Sequence, residues 1–310
     1  MATRIILDCD PGIDDALAIA FAHGHPGIDL VGITTVAGNV GLAKTTANAL
    51  AVCEFIGAAG TPVTAGCAGP LLRPALDARQ VHGDSGLGGA TLPPPAASPA
   101  AGHAVDYIID TVGAAPGEIT LVATGPLTNI ALLLRVHPEV APKIKEIAWM
   151  GGSTGRGNVT PYAEFNCWVD PEAAAVVVDS GIRFTMVGLN VTHQALVTPE
   201  VVDRLSAIGN TTSAFAVELL TFFRAAYQKA ESMDSPPLHD PVAVALVATP
   251  DLVPTVHTRL DIELHGPETF GATSVDLHNK LGRPANAYVA VGLDADGFWK
   301  SVEDAIGRMH

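Results

Sequence analysis

Aromatic residues are scarce in this 310-residue chain, at 5%, and charged residues make up only 16%. Ala, Val and Gly therefore carry the packing. With 48% hydrophobic residues a large core is available, which argues against disorder. Basic residues are the scarcer charge, 17 Lys and Arg against 32 Asp and Glu, leaving a net charge of −15. Such a surface repels phosphate backbones and anionic lipid, which argues against polymeric nucleic acid or a membrane as partner but not against a neutral small molecule. Cysteines are few, and Cys9, Cys53, Cys67 and Cys167 show no paired spacing. Free thiols in a reducing compartment are expected. No run approaches the ~18 apolar residues of a membrane span. The N-terminus enters a strand without a basic-then-apolar leader, so a cytoplasmic protein is expected. Nor does a P-loop or GxGxxG follow that strand.

What the chain does have is acid concentrated in one place. Ile5, Ile6 and Leu7 read as a buried strand and Ala16–Ala20 as a buried helix. Between them lie Asp8, Asp10, Asp14 and Asp15, broken by the turn pair Pro11-Gly12. The carboxyl end of a strand is where open α/β sheets bind ligands. One Asp here could serve a turn or a cap. Four would repel one another unless a cation or hydrogen-bond donors compensated them, which points to a metal site. The ligands are oxygens, suited to Ca²⁺ or Mg²⁺ rather than zinc. Pro11 and the lack of a closing Glu exclude an EF-hand loop.

Strands and helices alternate along the rest of the chain. Strands are expected at 29–35, 62–65, 118–123, 144–150, 183–187, 256–264 and 288–291. Helices are expected at 42–56, 104–112, up to 136, 171–180, 199–208, 213–231, 241–248 and 298–309. Residues 66–102 read as a long Gly/Pro-rich excursion, and loops of that length are often functional. The alternation implies an α/β protein, with a mainly parallel sheet covered on both faces. Without a repeat or a composition break, residues 1–310 read as a single domain. The loops after Asp8, Thr35, Ala123 and Met150 all leave carboxyl ends, which predicts one composite site.

Two further clusters stand out. His239-Asp240-Pro241 places an acid, in the position of a helix N-cap, beside a group that titrates near neutrality. Asn158, Glu164 and Asn166 give hydrogen-bonding groups suited to a hydroxyl-rich ligand. Tyr227 and Glu231, four apart, share one helix face leading to His239.

Asp8-Cys9-Asp10-Pro11-Gly12-Ile13-Asp14-Asp15 resembles the DxDPGxDD motif of the inosine-uridine-preferring nucleoside hydrolases. Thr124-Gly125-Pro126-Leu127-Thr128-Asn129, Ala163-Glu164-Phe165-Asn166 and His239-Asp240-Pro241 resemble that family's later motifs, in order. The resemblance implies a Rossmann-like nucleoside hydrolase fold with one mixed sheet, a Ca²⁺ cofactor, a ribonucleoside substrate and a homodimer or homotetramer. Carried over, Asp10, Asp15, Asp240 and the Thr124 carbonyl would hold Ca²⁺. Asp14, Asn166 and Asp240 would grip the ribose 2′- and 3′-hydroxyls beside Met150 and Asn39. Asn158 and Glu164 would take the 5′-hydroxyl, with Phe165 in the same contact set. Asp10 would act as general base towards a water held by the ion. His239, assisted by His82, would protonate the departing base, and Tyr227 would stack on it. Glu231 departs from the family pattern, so it leaves the base preference open between purine and pyrimidine.

Two other readings fit parts of the pattern. A haloacid-dehalogenase-like Mg²⁺ phosphatase also opens on DxD, with Asp8 as nucleophile, but Gly12 stands where Thr or Val is usual and Asp14-Asp15 would have no role. A non-catalytic nucleoside- or ribose-binding protein would need neither Asp10 nor His239.

Overall fold

The computed structural model describes residues 2–309, apart from the side chain of Glu231. Among them, nine strands form one sheet: β1 (Thr3–Cys9), β2 (Ile28–Thr35), β3 (Val63–Ala65), β4 (Ile119–Ala123), β5 (Glu146–Met150), β6 (Phe184–Val187), β7 (Thr255–Ile262), β8 (Thr273–Asp276) and β9 (Ala287–Ala290). Their order is β3-β2-β1-β4-β5-β6-β9-β7-β8. Pairing is parallel from β3 across to β9, and β7 runs antiparallel to both β9 and β8. The expected mixed, mostly parallel α/β sheet is found. β8 was not anticipated, because Thr-Ser-Val-Asp is too short to show an alternation.

The two faces of β1 explain its apolar run. Ile5, Leu7 and Cys9 enter one core with the helices Ile13–Gly24, Leu42–Phe55, Thr211–Glu231, Asp240–Ala248 and Ala295–Ile306. Ile6 enters the other, with Ala104–Ala114, Thr128–Val136 and Pro171–Val178. A strand buried on both sides has no solvent face to mark with polar residues. Burying each of Ile5, Ile6 and Leu7 stabilises the fold by about 1.5–3 kcal/mol.

The chain runs outward from β1 through β2 to β3, and in the opposite direction from β4 through β5 to β6. Strand order therefore reverses between β1 and β4, which opens a crevice at their carboxyl ends. Two acids start helices there in different ways. Asp170 caps Pro171–Val178, accepting from Ala173 N at 3.1 Å. Asp240, also followed by Pro, is instead the first residue of its helix, with His239 at the N-cap and no side-chain cap bond. Asp240 is thus not the N-cap its sequence suggests.

The excursion 66–102 is irregular except for one short helix, Arg79–His82. Its flanks are tied down: Asp170 accepts from Leu71 N, and Glu54 accepts from Ala96 N and Ala97 N. All the cysteines are free. Among the described residues no helix is long and apolar enough to cross a membrane.

Candidate active site

The crevice holds a cavity of about 300 Å³, bordered by strand ends on one side and by the helices Arg79–His82 and Thr211–Glu231 on the other. A larger groove of about 660 Å³, between Leu134 and Val176, shares no lining residue with it.

The floor is acidic and fully buried. One carboxylate oxygen each from Asp14, Asp15 and Asp240 lies within 4.8 Å of the others. Asp15 is held on every side: Oδ1 accepts from Thr124 Oγ1 (2.8 Å) and Asp10 N (3.3 Å), while Oδ2 accepts from Gly12 N (3.0 Å) and Asn39 Nδ2 (3.1 Å). Asp10 Oδ2 accepts from Asn39 N at 2.6 Å. Asp10 Oδ1 and Asp14 Oδ1 are buried with no hydrogen-bond partner among the described residues. Burial raises the pKa of each acid, and neighbouring carboxylates raise those of Asp10, Asp14 and Asp240 further. Asp14 reaches about 7. Buried carboxylates gathered without Lys or Arg are what a hard cation would satisfy, and Asp14 takes the place in this group of three that was expected for Asp10. Gly12 lets the turn close: a Cβ there would come within 2.5 Å of His82 Nδ1 and 2.7 Å of Asn39 Nδ2.

Asp8 does not join this group. Its Oδ1 accepts from Thr34 Oγ1 (2.5 Å) and Asn129 Nδ2 (2.8 Å), and it is absent from the cavity lining. It lies within β1, on the same face as Ile6, since side chains alternate along a strand. The acid run therefore divides into three carboxylates at the floor or beneath it and one that braces β1, β2 and the Thr128–Val136 helix. A nucleophilic Asp8, as the phosphatase reading requires, has no access to the cavity.

At the β5 end, Asn166 Nδ2 donates to Thr124 O (2.8 Å) and Met150 O (3.0 Å). Its amide protons are engaged, which leaves Oδ1 as the group offered to a hydroxyl. Glu164 caps the short helix Phe165–Val169, accepting from Asn166 N (2.8 Å) and Cys167 N (3.1 Å), and also from Gly152 N (2.8 Å). Burial outweighs these bonds and lifts its pKa to about 7. Asn158 Oδ1 accepts from Phe165 N at 2.9 Å, so Nδ2 is its remaining polar group.

On the opposite wall, His82 Nδ1 accepts from Ile13 N at 3.1 Å, so the neutral ring carries its proton on Nε2. His239 lies between Thr192 Oγ1 (2.8 Å from Nδ1) and Tyr227 Oη (3.3 Å from Nε2). Burial depresses both imidazoles, His82 to about 4 and His239 to about 3, the latter lowered further by His193 and His82. Both are neutral at pH 7. Phe223 packs edge-on against Tyr227, with ring centroids 4.7 Å apart.

All the residues expected to contact substrate border the cavity: Asp14, Asn39, His82, Met150, Asn158, Glu164, Phe165, Asn166, Tyr227 and Asp240. Thr124 and His239 border it too, whereas Asp10 and Asp15 are wholly buried and outside its lining. Glu231 lies outside the described side chains. Sequence reasoning missed Gln80, Val81, Phe223 and Ala230 in the lining, and Thr192 behind His239. Phe223 was within reach, since it precedes Tyr227 by four positions on one helix face. The others carry no local signal.

Fold and floor together define a class: an α/β enzyme working at the switch point of its sheet, over oxygen groups suited to a hard cation. Residues 5–300 match the family described as inosine-uridine preferring nucleoside hydrolase. The chain is 46% identical to an inosine-uridine preferring nucleoside hydrolase of Leishmania major, over 100% of its own length and 99% of the relative's. It is 42% identical to the pyrimidine-specific ribonucleoside hydrolase RihB of Escherichia coli O157:H7, covering 98% and 96%. A solved structure, the purine-preferring ribonucleoside hydrolase from Gardnerella vaginalis, superposes with a TM-score of 0.92 at 34% identity, with 98% of each chain covered. The chain belongs to the inosine-uridine preferring nucleoside hydrolase family, as an enzyme that hydrolyses the N-glycosidic bond of ribonucleosides.

Proposed function

We propose that this enzyme is a Ca²⁺-dependent ribonucleoside hydrolase accepting purine ribosides, inosine among them, and that Asp10 is its general base. The observation that carries the reading is the buried convergence of Asp14, Asp15 and Asp240, with an unpartnered Asp10 oxygen beside them. Asp10, Asp15, Asp240 and the Thr124 carbonyl would hold the ion, which when bound lowers the pKa of water and fixes a vicinal diol.

The protein's own groups supply the rest. Asp14, Asn166 Oδ1 and Asp240 accept from the ribose 2′- and 3′-hydroxyls, with Asn39 and Met150 beside them. Asn158 and Glu164 take the 5′-hydroxyl, and Phe165 adjoins them. Asp10 removes a proton from the attacking water while the C1′–N bond breaks through a sugar with oxocarbenium character. The electron pair of that bond leaves with the base, which therefore needs a proton. Two neutral donors face it, His82 Nε2–H and the Tyr227–His239–Thr192 chain. The group that gives its proton to the base is reloaded from solvent, and the proton that Asp10 takes from water is released there, so the cycle balances.

The test is to strip divalent cations by chelation and add back Ca²⁺ or Mg²⁺ while measuring reducing sugar from inosine. Activity lost and then restored by Ca²⁺ supports the reading, and full activity in a chelated preparation defeats it. We further propose that residues 1–310 act as one domain, in a cytoplasmic homodimer or homotetramer, with no membrane or nucleic-acid partner. The family resemblance and the charge of −15 support this, and light scattering on the purified protein tests the assembly.

A further inference from the structure

We propose that Thr273, on β8 and outside the cavity, is a positioning residue that sets recognition of the substrate's 5′-hydroxyl; this rests on the reading that Glu164 and Asn158 hold that hydroxyl. Thr273 clasps the backbone of Ser153 from both directions: Oγ1 accepts from Ser153 N at 2.8 Å and donates to Ser153 O at 2.6 Å. The preceding residue, Gly152, donates its N–H to Glu164 Oε2 at 2.8 Å. One peptide unit thus separates the clasp from the carboxylate.

Two features show that the clasp is built in. Gly152 has φ +67°, and a Cβ there would meet Thr273 Cγ2 at 2.6 Å and Met186 Sδ at 2.8 Å. The Thr273 side chain already fills the space beside Gly152, so no side chain fits there. The other end of the same loop is held by the same strand edge, through an antiparallel bridge between Ala163 and Ala272. Residues 272–273 therefore fix both ends of the segment that carries Asn158 and leads into Glu164. The hydroxyl of Thr273 holds its Ser153 end from the β8 side, while Asn190 Oδ1 accepts from Thr154 N and Leu189 N donates to Gly152 O.

Removing that hydroxyl leaves two backbone groups of Ser153 without their partner and lets Gly152 shift beneath Glu164. A displaced hydrogen-bonding group loses discrimination at the atom it recognises, while the ribose diol and the base are gripped elsewhere. The substrates to compare are inosine and 5′-deoxyinosine, in wild type, Thr273→Val and Thr273→Ser. Thr273→Val is expected to lower the inosine to 5′-deoxyinosine ratio of kcat/KM by about tenfold, and Thr273→Ser, which keeps the hydroxyl, to restore it. Thr273→Ala repeats the test with no γ-substituent at all should the Val variant fail to fold. An unchanged ratio in the Val or Ala variant overturns the proposal. So does an equal loss on both substrates, which would mark a purely structural role. If wild type itself does not distinguish the two substrates, the assignment of Glu164 and Asn158 to the 5′-hydroxyl falls first and takes this proposal with it.

Discussion

The two walls of the cavity are made differently. The ribose side is assembled from strand ends and helix starts, and polar side chains there are tied to backbone: Asn39 Nδ2 to Asp10 O, Asn166 to Thr124 and Met150, Glu164 to Gly152. The base side is one face of the helix Thr211–Glu231 and the short helix Arg79–His82; His82 is tied to backbone at Ile13 N, but Tyr227, His239 and Thr192 are linked side chain to side chain. Backbone ties fix a group to the rigid sheet, whereas a helix face can change residue by residue without disturbing its helix. The division suits a substrate with an invariant sugar and a variable base. Relatives of this chain are named both for pyrimidines and for purines.

The largest effect expected from this contrast is on the sugar. A site that hydrogen-bonds a hydroxyl leaves buried groups unpaired when that hydroxyl is missing, so 2′-deoxyinosine should fall below inosine in kcat/KM by about 10⁴-fold or more. Comparable rates would mean that the floor does not read the diol. Next in size is Asp10→Asn, which keeps shape and loses the base. Turnover of inosine should drop by about 10²–10⁴-fold, and a variant retaining more than half its kcat would remove Asp10 from the chemistry.

The base wall should give smaller and substrate-dependent changes. Across inosine, adenosine, guanosine, uridine and cytidine, Tyr227→Ala should cost up to about tenfold, as the loss of one aromatic contact does. Tyr227→Phe separates stacking from the link to His239, since it keeps the ring and loses only the hydroxyl. Equal rates on every base for all three enzymes would erase the contrast between the walls.

The smallest effect is on stability. Asp14 has a folded pKa of about 7, above its ordinary 3.8, raised by burial and then by Asp15. The folded chelated protein therefore binds more protons than the unfolded chain. The resulting stability is complete below the ordinary value and is lost as pH rises through about 7. Chelated enzyme should melt a few degrees lower at pH 8 than at pH 5.5. Added Ca²⁺ should raise the melting temperature more at pH 8, and the opposite order would place the cation elsewhere.

This contrast also governs what the sequence made legible. The ribose wall is written in contiguous motifs, because a strand end, a turn and a helix start are consecutive in the chain. Its internal division was not legible: Asp8 and Asp10 look alike as letters, yet β1 ends at Cys9, so Asp8 is held inside the strand against Thr34 and Asn129 while Asp10 lies past its end. Asp240 shows the reverse, since the Asp-Pro pair that caps a helix at Asp170 opens one at Asp240. The base wall is scattered over residues 78–82 and 223–239, and only helical spacing links its members. Thr192 and Thr273 act through partners 47 and 120 positions away, which no local pattern records.

The cavity draws on residues from Asp14 to Asp240, and its outer clasp comes from Thr273. On a ribosome adding about 5–20 residues per second, the first strand and its acid turn emerge long before the chain that completes the ring around them. The nascent enzyme is therefore inert until most of it has been made, and no early stop codon leaves a fragment with partial activity. Because these contacts join distant segments, the last stage of folding should also be the slow one. For an enzyme that hydrolyses ribonucleosides, late assembly confines the activity to finished molecules.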